Sequence, residues 1–263
     1  MAAGGLTQLP IDWQAPWLAP LRELRACVER ADWRAALSAE ARRRGTTTVT
    51  GLPIEFVAAD DAGGAAYEAH IAASGRVPTR DNAHDLFNAL VWLAFPLTKA
   101  ALNARQAGEL ARDGVRGRRG PVRDAATLID ESGLLLAAGA EACAALMRLD
   151  WAFLFDAQRA CWGRDWVPFA FGHALIEKLL APYKRLTAVV VCLPPAGATA
   201  AAADRSVSQW IRQAPLSPPL LSHLPVLGIP GWWPDNEDPA FYEDTAVFRA
   251  HRRVAAGAGN RQA

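Results

Sequence analysis

The chain has 263 residues, of which 51% are hydrophobic and 21% are charged, and its formal net charge is +1. This length and composition predict a globular protein with a sizeable core and exclude wholesale disorder. The nearly neutral charge excludes a global field that would draw the chain to nucleic acid or to an anionic membrane. The start lacks the segments of a secretory signal, and prolines interrupt the longest uncharged run. We therefore expect a soluble, cytoplasmic protein without a membrane span.

Apolar periodicity, helix caps and β-branched runs predict the elements of the first half of the chain. The predicted helices cover residues 21–44, 65–74, 82–95 and 96–111. The predicted strands cover residues 46–50 and 54–57, and residues 75–79 are expected to form a loop. Thr79 or Asp81 is expected to cap the third helix. Pro96 separates it from the fourth, since proline is tolerated in a first turn.

The second half of the chain mixes short strands with helices before a proline-rich end. Residues 125–138 are interpreted as two short strands joined by a hairpin at Glu131-Ser132-Gly133. A further strand is predicted over residues 186–193, because its centre is β-branched. The predicted helices cover residues 141–149, 151–161, 169–181 and, as a short one, 206–213. Half of the 18 prolines lie from Pro194 onward, so we expect that part to be mostly extended over the core.

The order of these elements predicts an α+β fold, a helix-rich single domain with a small antiparallel sheet and a proline-rich C-terminal extension. Strands and helices do not alternate as a series of βαβ units would require. We divide the chain into a core domain with an N-terminal arm (1–193), an extension packed on the core (194–254) and a disordered tail (255–263). Trp232 and Trp233 in the extension are expected to pin it to the core.

Four segments of the chain are similar, in order and length, to one bacterial protein family. Their sequences are VPTRDNAHDLFNALVWLAFPLTKAALN, RGPVRDAATLIDESG, FGHALIEKLLAPY and LPVLGIPGWWPDNEDPAFYEDTAVFR. Together they span about Val77 to Arg249. The chain thus resembles domain of unknown function family 3025. The resemblance implies that the chain shares the fold of this bacterial family, but it implies no activity and assigns no role to any residue.

The first candidate site lies where a predicted helix begins. His84 and Asn88 stand four residues apart and therefore share one helix face. Asp85 adjoins the histidine, and Arg80 precedes the helix. One interpretation is a metal or acid–base site in which the carboxylate orients the imidazole. The alternative is structural, with the acid stabilising the helix N-terminus and His84 and Asn88 satisfying loop carbonyls.

A second histidine repeats this spacing further along the chain. His173 and Glu177 are also four apart on a predicted helix, among alanines that leave room for a partner. Their alternative role is a surface hydrogen bond worth roughly 0.3 kcal/mol. Asp130 and Glu131 fall at the predicted hairpin, where they serve either as metal carboxylates or as ordinary turn residues.

These candidates combine into one hypothesis. His84, Asp130, His173 and Glu177 form a nitrogen and oxygen ligand set suited to Zn, Mn or Fe, so a divalent metal ion is the candidate cofactor. This requires that two distant helices bring the two imidazoles together.

A basic, glycine-rich loop over residues 112–123 offers guanidinium groups that match phosphate oxygens. Nucleic acid or an anionic small molecule is therefore a candidate partner, although a solvated surface loop explains the same residues. Its candidate substrate-binding residues are Arg118, Arg119 and Arg123.

The sequence thus suggests two functions of different classes. The first is a metal-dependent hydrolase, with phosphoesters preferred because of the arginines. In it His84, Asp85 and Asn88 act in catalysis, and Arg80 joins the loop arginines in binding substrate. The second is a non-enzymatic protein that binds a macromolecule through its Arg-rich loop and its Pro/Trp tail. The distance between the imidazoles of His84 and His173 distinguishes them.

Overall fold

The structure is a computed structural model, and it describes residues 9–62, 66–114, 120–195 and 199–249. Its helices are α1 (Arg25–Val28), α2 (Trp33–Arg44), α3 (Tyr67–Ser74), α4 (Ala83–Ala94), α5 (Pro96–Asp113), α6 (Pro121–Ser132), α7 (Ala140–Met147), α8 (His173–Lys178) and α9 (Ala200–Gln213). Its strands are β1 (Glu55–Val57), β2 (Arg76–Pro78), β3 (Gly133–Ala137), β4 (Val167–Ala170), β5 (Thr187–Leu193) and β6 (Ser222–Pro225). The predicted class, a helix-rich α+β domain, is confirmed.

The main sheet has four strands in the order β4-β3-β5-β6. The expected antiparallel arrangement is found at both edges, but the central pair of β3 and β5 is parallel, with Leu135 opposite Val191. The sheet is therefore mixed, because the chain between β3 and β5 is long enough for a crossover. β3 is buried at every residue, which explains its unbroken apolar sequence. A separate pair of β1 and β2 is also parallel.

Several predictions for the first half of the chain need correction. The expected helix over residues 21–44 is broken, since a 3₁₀ helix over Pro16–Leu24 leads into the short α1 before α2 starts. Leu18, Leu21 and Leu24 are buried at a spacing of three, which is the period of a 3₁₀ helix. Residues 46–50 contribute only an isolated bridge, and the expected loop over residues 75–79 contains β2.

The start of α4 uses a different cap from the ones expected. Asn82 is the N-cap, because its side-chain oxygen accepts a hydrogen bond from the backbone N–H of Asp85 at 2.8 Å. Neither Thr79 nor Asp81 fills this role. The expected helices α3, α4 and α5 themselves are confirmed to within a few residues.

The predicted hairpin over residues 125–138 is wrong, because residues up to Ser132 form α6 and only β3 is a strand. Pro121 in the first turn and the buried Ala125 and Ile129, four residues apart, are typical of an amphipathic helix. The leucines of β3 imposed a strand interpretation on the whole segment. Glu131 consequently lies in the last turn of a helix and not in a turn between strands.

Further along, the predicted helices are shorter or displaced. The segment over residues 169–181 divides into the end of β4 and the short α8, with Gly172 between them. The segment over residues 151–161 contains a π-helical turn at Phe153–Ala157. The strand predicted over residues 186–193 and a helix near residues 141–149 are confirmed as β5 and α7. The short helix expected at residues 206–213 is the second half of the longer α9.

α8 packs against both α4 and α6. α4 and α5 meet at a bend of 112°, and no single described helix is both long and apolar enough to cross a bilayer. After residue 193, α9 packs on α5 and β6 extends the main sheet. Trp232 is buried against Trp17 with ring centroids 5.8 Å apart. The division of the chain at residue 193 stays a prediction, and residues 255–263 lie outside the described part.

A close approach of two glycines fixes the start of α8 against the end of α6. The backbone N–H groups of Phe171 and Gly172 donate to the carbonyl oxygen of Gly133 at 3.0 and 2.8 Å. A Cβ atom on residue 172 would overlap the backbone of Gly133 and would lie 2.5 Å from the nitrogen of Ser132. Only glycine fits there without moving the backbone.

We therefore predict that Gly172→Ala lowers the free energy of unfolding by about 2 kcal/mol or more, because rigid backbone atoms occupy the added methyl group's position. Urea denaturation measures the change. Gly139→Ala is the matched control, since a Cβ there meets nothing within 4 Å. Equal unfolding free energies of the Gly172→Ala and Gly139→Ala variants would contradict the close approach of Gly172 to the backbone of Gly133.

Candidate metal centre

The candidate centre opens into a cavity of about 420 Å³ between α4, α6 and α8. Its histidines come from helix starts: His84 lies in the first turn of α4, and His173 is the first residue of α8. Its lining residues are Ala59, Tyr67, Glu68, Pro78, Arg80, His84, Asp85, Asn88, Asp130, Glu131 and His173. Polar and ionisable side chains dominate this surface, which favours a charged or polar ligand.

The two imidazoles lie side by side, as the sequence predicted. The Nε2 atoms of His84 and His173 are 3.0 Å apart, and the ring centroids are 4.4 Å apart at an interplanar angle of 74°. Residues 89 positions apart in the chain thus meet at one point, and each ring presents the same nitrogen to it.

Neighbouring carboxylates fix the proton position on one ring and favour the same position on the other. Nδ1 of His84 is 3.0 Å from Oε2 of Glu177. A carboxylate only accepts, so this Nδ1 carries the proton and the Nε2 of His84 has a free lone pair. Nδ1 of His173 is buried without a hydrogen-bond partner in the described residues, 3.7 Å from Oδ2 of Asp130. The negative charge of Asp130 favours a proton on this Nδ1 as well.

With both protons on Nδ1, two lone pairs face each other across 3.0 Å, and a cation between them removes their repulsion. Two ligand nitrogens about 2.1 Å from one metal ion are about 3.0 Å apart at a right angle and about 3.4 Å apart at a tetrahedral angle. The observed separation fits such a pair. The alternative is a neutral His173 that carries its proton on Nε2 and donates it to Nε2 of His84, and the charge of Asp130 beside Nδ1 of His173 favours the other tautomer. Burial lowers the pKa of His173 to about 4, so this ring is neutral at neutral pH in either case.

Glu131 supplies a third ligand atom on the same side of the rings. Its Oε2 lies 3.7 Å from Nε2 of His173, and ligand atoms of His84, Glu131 and His173 all lie within 4.8 Å of one another. Two imidazoles and a carboxylate that leave other positions open are typical of catalytic metal sites.

The charges around the centre also favour a divalent cation. Asp130 is paired with Lys99 at 2.5 Å and Asp85 with Arg80 at 3.0 Å. Glu131 and Glu177, by contrast, have only imidazoles as ionisable partners within 4 Å in the described part of the chain. Burial raises the pKa of Glu131, as does the nearby charge of Asp130, whereas His84, Lys99 and Lys178 oppose this. A divalent ion beside the imidazoles would balance the charges of Glu131 and Glu177, the two carboxylates that contact these rings without a cationic partner.

A buried polar network supports the centre from below. Nζ of Lys99 donates to Oδ1 of Asp130 at 2.5 Å and to Oδ1 of Asn88 at 2.7 Å, and Nδ2 of Asn88 donates to the hydroxyl of Tyr67 at 2.9 Å. Burial raises the pKa of Asp130, but Lys99 and the imidazole of His173 lower it more, so its pKa lies below the ordinary value. Asp130 is therefore ionised beside His173.

The structure brings the four predicted metal residues together but distributes them over two sides of the rings. His84 and His173 face each other through Nε2, whereas Asp130 and Glu177 lie on the Nδ1 sides. Glu131 was outside the predicted set of four because the hairpin interpretation hid its place on α6. It lies on the Nε2 side, where an ion would bind.

Other predicted residues have different partners from those expected. Asp85 accepts hydrogen bonds from the side chain and the backbone N–H of Arg80, and Glu177 instead of Asp85 contacts His84. Arg123 lies on α6, away from the cavity lining, and its Nε is buried without a partner in the described residues. Arg118 and Arg119 lie outside the described residues.

Sequence reasoning missed the roles of Lys99 and Tyr67. For Lys99 a signal was available: it is a lysine between apolar residues of α5, in a chain whose basic residues are nearly all arginine. Tyr67 precedes the polar segment and gave no comparable signal.

Residues 54–252 match the family model described as a protein of unknown function (DUF3025). The match covers more than half of the chain. The chain belongs to this family, and the resemblance seen in the sequence is confirmed. The comparison with curated proteins and the comparison with solved structures gave no match. Among the described residues, all those that line the cavity lie inside the segment that matches the family.

We predict that Lys99→Met lowers the free energy of unfolding by about 3–5 kcal/mol, because it leaves the buried carboxylate of Asp130 without its cation. Urea denaturation at neutral pH measures the loss. The difference in unfolding free energy between Lys99→Met and the wild type should become smaller as the pH falls, since the unpaired carboxylate of Asp130 then becomes protonated and neutral.

Lys184→Met is the control for that variant. Lys184 forms an ion pair with Asp244 near the surface, where 58% of the lysine side chain is exposed. We therefore expect this variant to lose less than about 1 kcal/mol of unfolding free energy. A Lys99→Met protein as stable as the wild type would show that the pair is dispensable.

Proposed function

We propose that the protein is a metal-dependent hydrolase in which His84, His173 and Glu131 bind a divalent transition-metal ion. The observation that carries this proposal is the pair of Nε2 atoms 3.0 Å apart, each on a ring whose Nδ1 faces a carboxylate. A hydrogen-bonded carboxylate behind a ligating histidine fixes its tautomer and orientation, which is the usual arrangement in metalloproteins.

Each residue of the centre then has a defined task. Glu177 holds His84 by a hydrogen bond with its Nε2 lone pair toward the ion. Asp130, fixed by Lys99, lies 3.7 Å from Nδ1 of His173 and favours the same tautomer through its charge. Glu131 is the carboxylate ligand and also lines the cavity. A bound divalent ion supplies an activated water for attack and polarises the oxygen of the substrate.

Phosphoesters are the substrate class that we propose. The cavity is lined by polar groups and opens beside Arg80, whose guanidinium is paired with Asp85 but has 64% of its side chain exposed. An exposed guanidinium at the rim offers donors to a phosphoryl oxygen. Asn88 belongs to the supporting network and not to the ligand set.

The alternative, a macromolecule-binding protein that uses its Arg-rich loop and its Pro/Trp tail, gains no support from the described residues. Trp232 is 5% exposed and packs against Trp17, so it pins the tail to the core.

The first test of the proposal is metal binding by the full chain, purified without a polyhistidine tag and titrated with Mn²⁺ and Zn²⁺. We expect one ion per chain, with an affinity at least about 100-fold lower in His84→Ala, His173→Ala or Glu131→Ala, because each removes a direct ligand. Glu177→Gln should weaken binding by about 10-fold, as loss of an orienting partner does.

His223→Ala is the matched control, since this histidine lies on β6, is exposed and is not among the cavity residues. Its affinity should equal that of the wild type. A folded wild-type chain that binds no ion, or equal affinities in all of these variants, would refute the metal centre.

The second test is hydrolysis of bis(p-nitrophenyl) phosphate and p-nitrophenyl phosphate by the metal-loaded chain. We expect release of nitrophenolate that a chelator abolishes, that added Mn²⁺ or Zn²⁺ restores, and that Glu131→Ala lacks. Turnover that is unchanged by the chelator would contradict the role of the ion.

A further inference from the structure

The polar network under the cavity fixes the direction of one hydrogen bond that the metal centre itself does not use. The ammonium group of Lys99 has donors and no acceptor, so the Asn88 atom that it contacts at 2.7 Å must be the amide oxygen. The amide of Asn88 therefore presents its NH₂ group to the hydroxyl of Tyr67, 2.9 Å away. The lysine determines this orientation by chemistry alone.

The orientation of Asn88 determines the state of Tyr67 in turn. Because Asn88 donates, the hydroxyl oxygen of Tyr67 accepts, and its own proton must point elsewhere. In the described part of the chain Tyr67 has no other hydrogen-bond partner, and its side chain lines the cavity shared with His84 and Glu131. The hydroxyl proton is therefore directed into the cavity.

Tyr67 also keeps this proton. Although 39% of the residue is exposed, its hydroxyl meets the buried amide of Asn88. Burial raises the pKa of Tyr67 well above its ordinary value, and the charges of Glu68 and Asp130 raise it further. A neutral phenol that cannot ionise at physiological pH is a permanent donor.

We propose that Tyr67 is a substrate-binding residue that donates a hydrogen bond to a phosphoryl oxygen held over the metal centre. This inference rests on the proposed function for its substrate class, but the donor geometry itself does not depend on an ion. A neutral donor suits this site, because Asp85 and Asp130 already pair with the cations Arg80 and Lys99. The Tyr67 hydroxyl can bind the anion without competing for the cations of these two ion pairs.

The role is selective for ligands that bring an acceptor oxygen. An ammonium group has donors and no acceptor, so it would leave the O–H of Tyr67 unsatisfied, which costs about 1–3 kcal/mol. The network from Lys99 through Asn88 thus favours ligands that bring an acceptor oxygen into the cavity, independently of the arginine at its rim.

Inorganic phosphate is the probe, and calorimetric titration of the full chain with and without bound Mn²⁺ measures its binding. We expect Tyr67→Phe to weaken phosphate binding about 10- to 100-fold, as loss of a hydrogen bond to a charged group does, and to leave the affinity for Mn²⁺ unchanged. Tyr183→Phe is the matched control, because Tyr183 is 50% exposed, is not among the cavity residues and should change neither affinity.

The two affinities separate this inference from the metal centre. Equal phosphate affinity in the wild type and Tyr67→Phe, or no phosphate binding by the wild type, would overturn the role of Tyr67. A chain that binds no Mn²⁺ but whose phosphate binding still depends on Tyr67 would refute the metal centre and uphold the inference. A melting temperature of Tyr67→Phe below that of the metal-free wild type, with both affinities intact, would show that the hydroxyl is only structural.

Discussion

Two imidazoles that present the same nitrogen to each other across 3.0 Å impose the main constraint on this structure. Glu177 is bonded to the far side of one ring, and Asp130 lies beside the far side of the other. With the protons of both rings on Nδ1, the two facing nitrogens carry lone pairs, and such an arrangement is unfavourable without a cation. The helices α4, α6 and α8 supply these rings and carboxylates.

The surrounding structure is rigid enough to hold that contact. The glycines at positions 133 and 172 let the backbone of α8 approach the end of α6 more closely than any side chain would permit. Beneath it, Lys99 fixes both Asp130 and Asn88 in a buried layer. Buried polar networks of this kind rigidify a site when every member is satisfied. Lys99 thus positions Asp130 beside His173 and Asn88 beside Tyr67.

The sequence was sufficient to suggest that the two histidines lie close together, because each has a polar partner one helical turn away, but structural roles for both remained open alternatives. It was insufficient for Glu131, since the leucines after it have a strand period that masked the helical spacing before them. The pairing of β1 with β2 and the ion pair of Lys99 with Asp130 depend on contacts between distant segments, which local patterns do not encode. The α+β class followed from element order, whereas the parallel central strands required knowledge of the crossover.

The most direct measurement is anomalous diffraction from crystals of the full chain grown with Mn²⁺ or Zn²⁺. The account predicts a single strong peak in the cavity, about 2.1 Å from the Nε2 atoms of both His84 and His173 and adjoining the carboxylate of Glu131. An empty position there, with the two rings joined by a proton on one Nε2 atom, would contradict it.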